Sequence, residues 1–341
     1  MRRAVVLAIL VAVTISTSVK WGSAQSGTRA GDLLAVLPDG GVVAVIDFQK
    51  FAGSSLWAAV NAQEKLKSAI DKAQSEMADL GVKLSDVHTV AFVFPTAGMN
   101  NPTIAITGSF DQNDLLARLR ASTKVKLTSE KYKDFDIYKV RSIAEADPSK
   151  DASRNNPAST SVASKKDETA FVFYNVSTVV TGSVEAVRGS IDVKTGAKPS
   201  ITQNGKLTDA LAQNPAAAIR FVVALTPAMT SRLQSSELPI PDFSSIGLIF
   251  GTIDVASGID INATLRSDTA EHAKSVAERL NGLLGMARGF LGAMSDPKMT
   301  SIAEALKAVN IVSADADVRI TGILPMDLLN SLLSSSGKKG R

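Results

Sequence analysis

Two stretches, TIAITGSFDQNDLLARL (residues 103–119) and IDINATLRSDTAEHAKSVAERL (residues 259–280), decide the reading of this chain. Each opens as a mostly apolar strand-like run, crosses a polar segment containing an Asp, and continues with apolar residues at helical spacing. In the first, Asp111 stands at an N-cap position ahead of Leu115, Leu116 and Leu119. In the second, Asp268 and Glu271 have capping-box spacing, with Asp in place of the usual Ser or Thr. A strand, a cap and an amphipathic helix met twice imply a duplicated unit.

Working outward, residues 42–48 (VVAVIDF) form a continuous apolar run after the turn Pro38-Asp39-Gly40-Gly41 and read as a buried strand. Ser54 can cap a helix carrying Leu56, Val60, Leu66, Ile70, Ala73, Met77 and Leu80 on one face, ended by Gly81. Strands are expected at 87–94, 103–110, 124–128, 135–140, 169–174 and 177–181, and a short helix at 183–192. In the second half, 218–225 and 226–234 match the opening strand and helix. Residues 246–255 match 87–94, residues 309–323 mirror 125–140, and Pro325 opens a last helix. The expected fold is α+β: two related strand-helix-strand-strand-helix-strand units, at 31–195 and 196–334, with antiparallel sheets and helices on one face. Residues 144–168 hold Val162 as their only large apolar side chain and read as a disordered loop. Residues 335–341 read as a disordered basic tail.

The ends speak to location. Arg2 and Arg3 precede an unbroken apolar run at 4–13, and Gly22-Ser23-Ala24 places small residues before Gln25. Residues 1–24 therefore read as a signal peptide cleaved between Ala24 and Gln25, which implies an exported protein, periplasmic or extracellular. The apolar run is shorter than the roughly 20 residues of a membrane-spanning helix. An uncleaved N-terminal membrane anchor is the alternative. With no cysteine in the chain, lipidation at the cleavage site is excluded and stability comes from burial without disulfides.

The net charge is +4, but removing Arg2, Arg3 and Lys20 leaves +1, and removing Lys338, Lys339 and Arg341 as well leaves −2. The basic balance therefore sits at the two ends, and no nucleic-acid partner is expected of the body. Aromatic content is 5%, and Trp57 is the only tryptophan after residue 24, which argues against stacked aromatic platforms.

Three further segments carry a resemblance: LLAVLPDGGVVAVIDFQKF (33–51), TAFVFYNVSTVVTGSVEAVRGSID (169–192) and ITQNGKLTDALAQNPAAAIRFVVAL (201–225). In spacing and turn residues, over most of 32–270, the chain resembles a large set of uncharacterised exported bacterial proteins with a duplicated α+β repeat. That resemblance implies architecture and export. It assigns no chemistry, including to the Gly182-Ser183 step.

Motifs of catalysis are missing. The two histidines, His88 and His272, have no second His or Cys at metal-ligand spacing, and there is no H-E-x-x-H, G-x-S-x-G or G-x-x-x-x-G-K-[ST]. Gly205-Lys206-Leu207-Thr208 lacks the rest of a phosphate loop. Asp315 and Asp317 are expected to alternate on one strand and face water, with Val312, Ala314, Ala316 and Val318 buried behind them; a divalent cation held by the two carboxylates is the alternative. Asp134 and Asp136 take the matching place in the first unit, and Asp254 and Asp260 read as hairpin residues. Gly282, Gly285, Gly289 and Gly292 fall on one side of a helix, opposite an apolar set that includes Leu283, Leu284, Phe290 and Met294. Glycine there costs about 1 kcal/mol each relative to Ala, so this side is expected to be a close-packing or partner face. The expectation is a non-catalytic exported protein with a binding or scaffolding role, with no cofactor and no metal. The alternatives are a hydrolase without a known motif and a membrane-surface or lipid-binding protein. Beyond the signal peptide, the only membrane contact expected is through a surface helix at 280–294.

Overall fold

The computed structural model describes residues 27–79, 81–96, 101–143, 168–234, 243–256, 258–294 and 296–335. The signal peptide expected at 1–24, its Ala24/Gln25 cleavage site, the loop expected over 144–167 and the tail at 336–341 lie outside these residues. In chain order the elements are α1 (Gly27–Leu34), β1 (Val42–Asp47), α2 (Phe48–Ala52), α3 (Ser55–Asn61), α4 (Glu64–Asp79), β2 (Val87–Phe94), β3 (Thr103–Gly108), α5 (Gln112–Ala121), β4 (Val125–Tyr132), β5 (Phe135–Ser142), β6 (Glu168–Asn175) and β7 (Thr178–Gly182). They continue with α6 (Val184–Lys194), α7 (Gly205–Leu211), β8 (Ile219–Ala224), α8 (Pro227–Gln234), β9 (Ile246–Asp254), β10 (Gly258–Ser267), α9 (Ala270–Gly292), α10 (Pro297–Lys307), β11 (Asn310–Ala314), β12 (Asp317–Pro325) and α11 (Met326–Ser335).

The class is α+β, as expected, but the strands make one sheet. Its order is β11-β12-β10-β9-β8-β1-β2-β3-β7-β6-β5-β4, antiparallel throughout. The join is the β1/β8 pair, where Val42 faces Val223 and Ile46 faces Ile219. Both strands are apolar at nearly every position, so each has two faces to bury, and pairing at the centre of a wide sheet achieves that. Counting outward from this pair, β3 and β10 each stand third. Beyond them the halves differ: β12 lies directly beside β10, whereas the β6/β7 hairpin separates β5 from β3.

Helices lie on both faces rather than one. Val43 and Val45 of β1 join a core with Leu33 of α1 and Val187 and Ile191 of α6. Ile46 of the same strand points the other way and packs with Phe48 and Phe51 of α2 and with Phe92 and Ile104. On that second face Leu116 and Leu119 of α5 cover Phe171 of β6. Ala273, Val276 and Ala277 of α9 cover Leu265 and Val318.

Local details confirm some readings and correct others. Asp111 accepts hydrogen bonds from the N–H groups of Asn113 and Asp114, and Ser54 caps α3 through Trp57 N–H. The helix expected over 55–80 is broken between α3 and α4, where the Asn61 side chain donates to the Trp57 carbonyl at 3.1 Å. The cap of α9 is Thr269, not Asp268; Asp268 instead accepts from His272 Nδ1–H at 2.7 Å. Pro325 ends β12, paired with Gly258, and the last helix begins one residue later. Glu168, placed in the expected loop, opens β6 opposite Arg141.

The expected Asp315/Asp317 face does not exist. Asp315 begins a two-residue turn with φ +51°, so the chain reverses before Asp317, which starts β12. The reversal also leaves Val312 exposed at 44%, while Val318 is buried. Asp317 binds Arg266 with both carboxylate oxygens, at 2.8 and 3.0 Å, and the guanidinium lies 5.2 Å from the Phe250 ring centroid. Asp134 likewise lies in a two-residue turn, after Lys133 with φ +52°. Asp254 caps the Val255 and Ala256 N–H groups, as a hairpin residue should.

Candidate binding cleft

A cleft of about 600 Å³ opens on the sheet face that carries α1 and α6. Its floor is made by the ends of β3, β6 and β7, and its walls by the C-terminal ends of the two helices. Asp32, His88, Thr107, Tyr174, Thr178 and Lys194 contribute polar groups to the lining, along with Ser109, Asn175 and Ser177. Thr107 shares the face of buried Ala105, and Thr178, its register partner on β7, shares the face of buried Val180. Gly108 closes the floor; a Cβ there would run into the Asp86 carbonyl and the Phe110 ring, so only glycine fits this close approach.

A chain of hydrogen bonds fixes the walls. Ser190 of α6, fully buried, donates its hydroxyl proton to the Val36 carbonyl at 2.6 Å. Its oxygen is then left to accept, so the Tyr174 hydroxyl donates to it at 2.8 Å. Burial pushes the Tyr174 phenol up to about 12, with the Ser190 hydrogen bond opposing and the Asp192 charge adding. Tyr174 therefore stays protonated, and Ser190 has its proton committed to a backbone carbonyl. Together the two hydroxyls tie β6, α6 and the segment after α1 to one another.

Two acidic residues clamp α6 to the β4/β5 hairpin. Asp192 receives Lys133 at 2.7 Å, Lys198 at 3.2 Å and the Tyr132 hydroxyl at 3.0 Å. The Lys133 hydrogen bond is the main cause that holds its carboxyl down at about 2, against the cost of burial. Glu130 receives Lys139 at 2.9 Å and Arg188 at 2.7 Å, and its carboxyl is also lowered, chiefly by Lys139. These contacts set the position of Val193 and Lys194, the last residues of the α6 wall.

Among the described residues, two buried polar side-chain atoms have no hydrogen-bond partner: Trp57 Nε1 and Thr107 Oγ1. Thr107 is 7% exposed and lines the cleft. A buried hydroxyl left without a partner costs about 1–3 kcal/mol, which marks this position as unusual for a strand residue.

The residues singled out in the sequence lie elsewhere. Gly282, Gly285, Gly289 and Gly292 are all on the exposed side of α9, and a Cβ on any of them would meet no atom within 4 Å. No described element packs against them. Phe290, expected on the buried side, is 66% exposed one turn from Met286, which is 65% exposed. Arg288 lies under the helix and donates to the Leu306 and Val309 carbonyls. His88 enters the cleft, whereas His272 stays at the start of α9. Gly205 and Lys206 open the short α7 beside a shallower depression. Among the described residues no group of three or more His, Asp or Glu could hold a metal ion, and no helix is long and apolar enough to cross a membrane. The cleft escaped the sequence because its residues are scattered from 32 to 194 and none belongs to a motif.

No family model matches the chain, and no curated protein matches it. Solved structures are similar. The Treponema protein TP0453 in its crystal form III is 12% identical with a TM-score of 0.45, covering 89% of this chain and 97% of that one. Crystal form I of the same protein is 12% identical with a TM-score of 0.43, covering 89% and 96%.

Proposed function

We propose that the chain is an exported, non-catalytic protein that works by binding, and that the cleft between α1 and α6 is where it binds. The observation that carries this is the proton arrangement of the cleft. The phenol of Tyr174 is held protonated, and the Ser190 hydroxyl is tied to the Val36 carbonyl. A hydrolytic site needs the reverse, a nucleophile whose proton can pass to a base. The 600 Å³ volume lies within the range of small-molecule sites. Export rests on residues 1–24, and N-terminal sequencing of material from an exporting host should begin at Gln25; an intact Met1 would refute cleavage. Binding is tested by thermal melts against a small-molecule panel. Ligands should raise the melting temperature without being turned over, and turnover abolished by Ser190→Ala would overthrow the reading.

A second reading, a protein that docks on a membrane surface, is favoured by one observation. Phe290 and Met286 project from a glycine-lined stretch of α9 whose one charged residue, Arg288, is turned to the Leu306 and Val309 carbonyls. Flotation with phosphatidylglycerol-containing vesicles tests it. Binding lost in the double variant Met286→Ser, Phe290→Ser would support it, and absence of flotation by the unaltered protein would exclude it.

A further inference from the structure

The lining of the cleft divides by charge. Asp32 stands exposed on α1, and Lys194 stands exposed at the end of α6 with its ammonium 5.8 Å from the Tyr174 ring centroid. Neither forms an ion pair among the described residues, although the neighbouring Asp192 gathers two lysines. Between the two walls lies the floor with the unpartnered Thr107 hydroxyl, beside Thr178.

The consequences for a ligand follow from electrostatics. A simple anion would gain Lys194 and be repelled by Asp32, and a simple cation the reverse. A neutral polyol would satisfy Thr107 but leave both charges with water alone. A molecule carrying an ammonium and a carboxylate at once compensates both walls and supplies an acceptor for the floor.

We propose that the cleft binds a small zwitterion of the α-amino acid or dipeptide class, its ammonium toward Asp32 and its carboxylate toward Lys194 and the Thr107 hydroxyl. This rests on the reading of the cleft as the binding site, and it adds the ligand class. The cleft volume leaves room for a dipeptide as well as a single residue.

Titration calorimetry of the full mature chain tests it, using single L-amino acids and glycylglycine as probes. N-acetylated and amidated derivatives, glucose and citrate serve as comparisons. At least one zwitterion should bind with a dissociation constant below about 1 mM. Acetylating its amine or amidating its carboxylate should each weaken binding roughly tenfold or more, as should Asp32→Asn and Lys194→Met. Both positions are exposed, so the variants should fold, and unchanged melting temperatures would show it. The isosteric Thr107→Val should weaken binding without unfolding the chain. If derivatives lacking one charge, or glucose or citrate, bind as well as the parent zwitterion, the ligand class is wrong and the cleft reading stands. If no probe in the panel binds, both fall.

Discussion

Thr107→Val separates a hydroxyl that is merely buried from one that waits for a partner. Valine keeps the branching and volume of threonine, so the strand geometry of β3 and its register with Thr89 and Thr178 are retained. The substitution removes the one atom in the cleft floor that is buried and without a hydrogen bond. That atom costs about 1–3 kcal/mol when left unsatisfied, and the methyl that replaces it adds apolar burial worth somewhat under 1 kcal/mol. With tight packing opposing part of the gain, the ligand-free variant should be more stable by about 1–2 kcal/mol, a rise of about 2–5 °C in melting temperature. Urea unfolding and calorimetry of ligand-free protein measure it, with Thr107→Ser, which keeps the hydroxyl and loses the methyl, expected to destabilise. Stability and binding should thus move in opposite directions in Thr107→Val. A loss of more than about 1 kcal/mol would show that the hydroxyl is bonded in the folded protein, and the reasoning about the floor would fail.

Asp192→Asn should remove one of the two acidic clamps between α6 and the β4/β5 hairpin, leaving that of Glu130. Because its folded carboxyl sits at about 2 against 3.8 for a free aspartate, its contribution is complete above about pH 4 and vanishes as the pH falls toward 2. It amounts to at most about 2 kcal/mol, and about 1 kcal/mol after solvent screening, so melts at pH 7 should differ between wild type and variant while melts at pH 2 converge. Asp317→Ala should cost about 0.5–1 kcal/mol by chemical denaturation, since it breaks a bidentate but largely exposed pair with Arg266; a neutral result would make that pair inert. Asp315→Gly should stabilise by about 0.5–1 kcal/mol, because φ +51° is unfavourable for a side-chain-bearing residue; a destabilised variant would show that Asp315 is held there by contacts of its own.

The elements were legible wherever local chemistry acts alone. Asp111 and Ser54 cap the helices that their positions announce, each accepting from an N–H two or three residues on. The strand runs at 87–94 and 246–255 stand within a residue of expectation. What failed depends on partners distant in sequence. The run VVAVI has no polar alternation, which already implies two covered faces, yet helices were expected on only one; the composition of β1 and β8 carried the single sheet, and their pairing could not be read from either alone. The Asp315 turn was missed because Ser-Ala-Asp-Ala-Asp lacks the Gly or Asn that usually marks a left-handed position. Phe290 was assigned to the buried side although it lies at the edge of the apolar arc, near Met286. The cleft was invisible for a different reason: Thr107 looks like any strand threonine until the atoms around it are known.

Hydrogen–deuterium exchange tests the central claim, that this protein binds through the cleft between α1 and α6. The full chain is compared with and without a saturating mixture of L-amino acids, glycylglycine and glucose. The account predicts slower exchange at 31–37, 107–109, 174–178 and 190–195, the segments that wall and floor the cleft, with 282–292 on α9 unchanged. Unaltered exchange at those four segments, or protection confined to 282–292, would contradict it.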